Sequence, residues 1–245
     1  MSRHEPIGPQ GLRQDGRRAD QLRNINCKPS VLSQSDGSSY IEQGYTKCLA
    51  AVYGPRETRQ KAQILHNKAL ITVEISLAPF SMSERKKRKK FDKRLLEIAS
   101  AVKQTFEPII MTNLFPRSQI DIFLQILQYD GGMTQICINA ATLALIDAGI
   151  PMLEYVCACS AGIVEDTTIL DLNNSEESLG IPELTVALLP QSQKVTLLQL
   201  ETRLHVDKLE SVTAMAIKGA KEVYKKLDKT SRDYIGDLLQ KSNPT

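Results

Sequence analysis

Residues 120–151 read IDIFLQILQYDGGMTQICINAATLALIDAGIP and carry the strongest structural signal in the chain. Apolar and polar side chains alternate from Ile120 to Ile126, which predicts a β-strand. Gly131 and Gly132 break that strand. The run Ile136–Ala148 is almost wholly apolar, which predicts a helix buried on most sides, and Gly149 follows it as glycine often follows a helix.

The pattern of strands followed by a helix also occurs on both sides of this unit. Before it, we predict two strands within Val31–Glu42 joined at or near Asp36-Gly37, further strands at 48–53 and 69–77, and an amphipathic helix over 91–106. After it, we predict strands at 156–164, 167–172, 184–189 and 195–200, a short helix at 176–179 and a long helix at 206–227. The early strands are expected to form an antiparallel meander.

This order of elements predicts an α+β fold in two similar halves. We place one half at residues 15–152 and the other at 153–229, packed together as one globular unit. The polar residues 230–245 are expected to form a tail.

Composition excludes several classes of protein. The 245 residues are 42% hydrophobic, which suits a large core, yet no apolar run approaches the roughly 18 residues that span a bilayer. The N-terminus lacks the apolar stretch of a signal peptide. The five cysteines include no Cys-x-x-Cys pair, which argues against a disulfide framework and a zinc site. We expect a soluble protein of a reducing compartment, with no metal, cofactor or membrane partner.

The net charge of +3 conceals an uneven distribution. Residues 1–117 carry 21 bases and 11 acids, whereas residues 118–193 carry 10 acids and no Lys or Arg. Residues 194–245 carry 10 bases and 7 acids. Asymmetry of this kind indicates two surfaces with different electrostatic roles.

Two segments have an anion-binding and a purely structural interpretation. The turn Gln128–Gln135 joins a strand to a helix whose first amides could attract phosphate, but the residues favour a tight strand-to-helix connection over a functioning anion site. The run Arg85–Lys90, with Lys93 and Arg94, is a nucleic-acid contact, a nuclear-import signal or a solvated loop. Arg94 differs from the rest because it flanks the apolar stripe of the helix.

An acidic set is the third candidate site. It consists of Glu165, Asp166, Asp171, Glu176 and Glu177. Carboxylates at this spacing can bind Mg²⁺, although spacing alone favours an acidic loop that caps a helix.

These features together resemble the RNase PH family over nearly the whole chain. The segments that carry the resemblance, in the family's order, are Asp15–Arg18, Asp36–Gly44, Val52–Glu57, Phe115–Ser118, Leu127–Gly132 and Ala144–Met152. The segment Cys157–Gly162 is similar to the branch of the family found in the ring of the eukaryotic RNA exosome. The resemblance implies an RNase PH-like fold of duplicated β-β-α-β-α units, ribosomal protein S5 domain 2-like, in a hexameric ring.

Active members of this family degrade RNA from its 3′ end with phosphate as the nucleophile. The resemblance places their phosphate site, a Gly-Gly-Thr-Arg turn, at Gly131 and Gly132. Here Met133, Thr134 and Gln135 follow, so the arginine is missing. Because a charge-assisted arginine clamp holds phosphate best, we expect the chain not to be an enzyme. Asp171 and Glu177 match metal-associated acids of the family and are expected to be vestigial.

The positions that the resemblance assigns to RNA contact are Lys61, Lys93 and Arg94. It implies a non-catalytic structural and RNA-binding ring subunit that guides single-stranded RNA to an associated 3′–5′ exoribonuclease. The implied protein partners are other RNase PH-like ring subunits and S1/KH-type cap subunits, and the implied location is nucleus, nucleolus and cytoplasm. The alternatives are an active phosphate-dependent 3′–5′ exoribonuclease and a nucleic-acid-binding protein outside any ring.

Overall fold

The first half of the chain forms a five-stranded sheet. The computed structural model describes residues 7–8, 10–58, 65–85, 92–164 and 167–242. The strands are β1 (Ile25–Pro29), β2 (Gly37–Gln43), β3 (Thr46–Glu57), β4 (Leu70–Leu77) and β5 (Ser118–Gln128). They lie in the order β1-β2-β3-β5-β4, and only the β4–β5 pair is parallel. Helix α1 (Lys93–Phe106) and a 3-10 turn at Thr112–Leu114 connect β4 to β5.

The second half forms a four-stranded antiparallel sheet with a long helix on it. Its strands are β6 (Cys157–Val164), β7 (Thr167–Leu170), β8 (Glu183–Leu189) and β9 (Lys194–Leu200), in the order β7-β6-β8-β9. The short helix α3 (Asn174–Glu177) follows β7. Helix α4 (Val206–Ser242) packs on β6, β7 and β8 and also contacts β1.

Helix α2 (Met133–Asp147) lies between the two sheets, against β2 and β3 on one side and β6 and β8 on the other. Every residue from Met133 to Leu145 is buried, because apolar surface meets the helix on both sides. Two polar side chains join it to β6. The Asn139 amide exchanges two hydrogen bonds with the backbone of Ala158, and the Thr142 hydroxyl donates to the Val156 carbonyl. The predicted buried helix is confirmed.

The α+β class is confirmed, but three predicted details are wrong. The first strand is Ile25–Pro29 rather than a strand beginning at Val31. The antiparallel meander fails at β4, which is parallel to β5 because the α1 crossover returns the chain in the same direction. Helix α4 continues to Ser242, through the predicted polar tail, with Ser231 buried and Arg232 paired with Asp228 one turn away. The boundaries of the two halves stay a prediction.

Cys27 is partly buried and the other four cysteines are buried, and all five thiols are free. Within the described ranges, no helix combines the length and apolar character needed to cross a membrane.

The start of β2 lies directly against the end of α2. A Cβ atom on Gly37 would come within 2.3 Å of the Ala148 nitrogen and 2.4 Å of the Ala144 carbonyl oxygen. Both are backbone atoms, so neither can rotate away. Position 37 therefore accepts only glycine without a shift of the helix.

We expect Gly37→Ala to lower the free energy of unfolding by roughly 1–3 kcal/mol, because the methyl group overpacks this contact. Gly236→Ala is the matched control, since nothing lies within 4 Å of the position of its Cβ in α4. The control should raise stability by roughly 0.5–1 kcal/mol. Urea unfolding measures both, and equal effects of the two substitutions would contradict the prediction.

Candidate functional site

The glycine turn lies where the two halves of the chain meet. Gly131 and Gly132 have φ angles of 83° and 68°, in the left-handed region that glycine adopts without strain, and Gly132 is the N-cap of α2. A Cβ on Gly131 would lie 2.7 Å from the Leu172 carbonyl oxygen and from the backbone carbon of Asn173. The first glycine is therefore needed because the segment between β7 and α3 passes directly over it.

The chain's own carboxylate occupies the start of helix α2. The Gly132 N–H donates to Glu177 Oε1 over 2.6 Å, and the Tyr129 hydroxyl donates to Glu177 Oε2. Unpaired amides at the first turn of a helix attract anions. The amide of Gly132 is thus satisfied by a carboxylate of the same chain, Glu177.

A buried ion pair supports the turn from below. Asp171 is fully buried and accepts from Arg23 Nη2 over 2.7 Å and from Gln135 Nε2 over 2.8 Å. Burial alone would raise the pKa of Asp171, but the Arg23 guanidinium lowers it to about 2. The oxygen of the Gln135 amide accepts from the Ser160 N–H over 2.6 Å. Gln135 therefore joins α2 to β6 and Asp171, and Met133 and Thr134 are also buried in the first turn of the helix.

Two further N-terminal arginines reach the same region. Arg13 is buried and donates from Nε to Glu176 over 2.7 Å, while Arg17 pairs with Asp15 over 2.6 Å and lies 3.7 Å from Asp171. Glu176 also completes a capping box with Asn173 at the start of α3. Its role agrees with the helix-capping interpretation of the acidic set.

Asp171 and Glu177 are held by hydrogen-bond donors rather than arranged around an open site. The oxygens of Asp171 accept from Arg23 and Gln135, and those of Glu177 accept from Gly132 and Tyr129. In the described part of the chain, no group of three or more His, Cys, Asp or Glu side chains is placed to hold a metal ion. Glu165 and Asp166 lie outside the described residues.

Arg94 lies beside the glycine turn. Its Nη2 atom is 3.3 Å from the Tyr129 hydroxyl, and its guanidinium is 5.9 Å from the centre of that ring. Asp92 caps α1 by accepting from the Arg94 N–H, which fixes the start of the helix. Burial lowers the pKa of Arg94, but Tyr129 and Glu177 more than offset this, so the pKa is raised. The side chain is a permanent cation next to Glu177.

The other predicted RNA contacts are only partly described. Lys93 is exposed at the first position of α1. Lys61 lies outside the described residues, as does the basic run apart from Arg85. Their assignment to RNA contact stays a prediction.

Glu183 is a further acid of this site that the sequence analysis did not single out. It begins β8 and pairs with Gly162 of β6. Burial and the nearby Glu177 carboxylate raise the pKa of Glu183 to about 8, although Ser160 opposes the shift. At neutral pH it is a carboxylic acid that can donate a proton. The sequence feature that could have identified Glu183 is its position directly before the apolar run Leu184–Leu189.

Both halves of the chain match models of one protein family. Residues 21–151 match domain 1 of the 3′ exoribonuclease (RNase PH) family, and residues 154–219 match its domain 2. Exosome complex component RRP41 of Homo sapiens is 49% identical over 236 residues, which are 96% of this chain and 96% of that protein. Exosome complex component Rrp41 of Thermococcus onnurineus is 44% identical over 220 residues, 90% of this chain and 88% of that one.

The crystal structure of rice (Oryza sativa) Rrp46 superimposes with a TM-score of 0.81, at 26% identity, over 90% of this chain and all of that one. The chain therefore belongs to the RNase PH family and has its fold, as the resemblance of the motifs predicted.

The prediction that this chain is not an enzyme is wrong. Both halves match a family of 3′ exoribonucleases, and the archaeal and human relatives retain 44–49% identity over at least 90% of the chain. The prediction rested on the missing arginine at position 134 and on the absence of bases from residues 118–193. Two arginines from other segments nevertheless lie at the turn, since Arg23 donates to the carbonyls of Asp130 and Gly131 and Arg94 lies beside Tyr129.

We expect Asp171→Asn to cost roughly 3–5 kcal/mol in the free energy of unfolding at pH 7, because it leaves the buried Arg23 guanidinium unpaired. The pKa of Asp171 is below its ordinary value, so its contribution is complete above about pH 4 and declines as the pH falls toward about 2. The difference between wild type and variant should therefore narrow in urea unfolding between pH 7 and pH 3.

Asp20→Asn is the matched control for this prediction, since Asp20 pairs with Lys218 at the surface and both side chains are more than half exposed. It should cost less than about 1 kcal/mol at any pH. A loss from Asp171→Asn that is just as small would contradict the central role of the buried pair.

Proposed function

We propose that this chain is the RRP41-type subunit of an RNA exosome core, also called exosome complex component four. It pairs with other RNase PH-like subunits in a ring and guides single-stranded RNA, 3′ end first, for 3′–5′ processing and degradation. S1/KH-type cap subunits and an associated 3′–5′ exoribonuclease are its further partners in this proposal. We place it in the nucleus, nucleolus and cytoplasm.

The position of Arg94 carries the proposal. The side chain projects from a capped helix start toward a turn formed by both halves of the chain, with Lys93 exposed next to it. A guanidinium held in this way is suited to an RNA phosphate, since arginine offers several donors in a fixed plane. The Tyr129 hydroxyl lies 3.3 Å from Arg94 Nη2 and donates to Glu177, so it links this cation to that carboxylate.

The comparisons support the proposal that the chain is a ring subunit of an exosome. The choice between the RRP41 type and the Rrp46 type is part of our proposal. The human and archaeal relatives are both exosome components called RRP41, whereas the rice structure is an Rrp46. The identity to RRP41 is 44–49%, against 26% to Rrp46, which favours the RRP41 type.

We expect the triple variant Lys61→Gln, Lys93→Gln and Arg94→Gln to weaken RNA binding by the assembled ring. Each phosphate contact contributes about 0.7 to the slope of log affinity against log salt for single strands, so the slope should fall by about 2. The measurement is RNA binding by the co-expressed ring over a series of salt concentrations. Native mass spectrometry should show that the ring itself is unchanged.

A control variant replaces three exposed bases of α4, Lys218, Lys229 and Arg232, by Gln. It removes the same charge and should leave the slope within about 0.5 of wild type. Equal slopes for the two triple variants would mean that Lys61, Lys93 and Arg94 are wrongly assigned to RNA contact. If the chain stays monomeric when it is co-expressed with RNase PH-like partners, the proposed ring assembly is wrong.

A second candidate function is phosphate-dependent 3′–5′ exoribonuclease activity at this site, and Glu183 favours it. Phosphate would attack the terminal phosphodiester, releasing a nucleoside diphosphate, while the departing 3′ oxygen of the shortened RNA takes up a proton. An acid with a pKa of about 8 beside Glu177 and Arg94 is suited to supply that proton at neutral pH.

We expect Glu183→Gln to lower phosphate-dependent release of nucleoside diphosphates from 3′-labelled RNA by roughly a hundredfold or more. In the wild-type ring, release should decline above about pH 8, where Glu183 loses its proton. Glu210→Gln, at an exposed position of α4, is the control and should have no effect. Equal rates for Glu183→Gln and wild type would exclude the role of Glu183, and no release from any ring would exclude the activity.

A further inference from the structure

An open cavity of about 590 Å³ has Tyr129 in its wall, the residue that also contacts Glu177 and Arg94. Its lining includes Tyr40, Lys47, Phe80, Met82, Gln128 and Tyr129. The volume falls in the range of small-molecule sites, and the walls combine aromatic, aliphatic and polar side chains. Tyr129 is shared with the site described above, so the cavity continues that site along the surface.

Phe80 is the most unusual residue of this cavity, because its side chain is 72% exposed. The turn that carries it is held by backbone hydrogen bonds on both sides. Ala78 donates to Ile126, Ser81 donates to Ala78, and Tyr129 donates to Ser81, over 2.9–3.0 Å. The Phe80 ring is thus exposed to water on a backbone that hydrogen bonds fix to β5. An exposed aromatic ring in a fixed position is suited to stack on a nucleobase.

The charges around the ring suit a nucleotide. Lys47 lines the cavity and is about one-third exposed, with Glu42 at 3.8 Å as its nearest ion-pair partner. The Tyr40 hydroxyl donates to the same Glu42, so this carboxylate has two partners, Tyr40 and Lys47. Gln128 adds an amide that can donate and accept. An aromatic face with an adjacent cation and an amide is the combination that binds a base and its phosphate.

We propose that this cavity is a nucleobase site, in which Phe80 stacks on one base of single-stranded RNA, Lys47 contacts the phosphate of that nucleotide, and Tyr129 separates the base from Arg94. The proposal rests on the RNA-guiding function above and assigns it a second contact of a different kind. Stacking accepts any base because every base has a π face. The site therefore holds RNA without reading its sequence.

The test is RNA binding by the co-expressed ring, with oligonucleotides that carry 2-aminopurine at successive positions from the 3′ end. In wild type, one position should show quenched fluorescence, since stacking quenches this base. Phe80→Ala should weaken affinity roughly 5- to 150-fold and restore the fluorescence at that position. Phe80→Trp should retain the quenching, whereas Phe80→Leu, which keeps apolar surface without a π face, should behave like Phe80→Ala.

Salt dependence separates stacking from charge. Phe80→Ala should lower affinity equally at all salt concentrations, whereas Lys47→Gln should reduce the salt slope by roughly 0.7. Leu153→Ala, at a 60% exposed position that lines a different cavity, is the control and should bind RNA like wild type.

Several results would overturn the site. If Phe80→Ala binds RNA as tightly as wild type, or quenching persists in it, the base does not stack on Phe80. If Phe80→Ala prevents ring assembly while Leu153→Ala does not, Phe80 belongs to a subunit interface instead. If the wild-type ring binds no RNA, the proposed function itself fails, and this outcome is distinct from the other two.

Discussion

The buried pair of Asp171 and Arg23 is the interaction on which the rest of the site depends. Arg23 comes from the segment before β1, and Asp171 from the end of β7, so one ion pair joins the two halves. Through Gln135 the same carboxylate reaches the first turn of α2 and the backbone of β6. A network of this kind is stable only when each buried group has a partner, so its members constrain one another's positions. The glycine turn takes its shape from this arrangement.

The charged groups at the glycine turn are arranged around the carboxylate that pairs with the first amide of helix α2. Glu177 provides the anion that the amide of Gly132 attracts, and Tyr129 and Arg94 lie around that carboxylate. The neighbouring acid Glu183 responds by retaining its proton to a pKa of about 8. Glu183 is thus the group of this site that is suited to proton transfer near neutral pH.

Local pattern in the sequence predicted most of the elements, but not which elements lie beside one another. The alternation in 120–126 and the apolar run 136–148 predicted β5 and α2, since each depends on residues next to one another. The parallel partner of β4 could not be predicted, because alternation shows a buried face but not the strand beside it. The same limit explains the error about catalysis. A count of charges along residues 118–193 found no base, while folding places Arg23 and Arg94 at the turn from outside that stretch.

Helix α2 is covered by one sheet on each side, with thirteen consecutive residues buried. Neither half of the chain alone could cover both sides of it, so a fragment ending near residue 152 would expose one wall of its own core to water. We therefore expect the two matched family domains to fold together as one unit. We expect the protein to unfold in one cooperative transition.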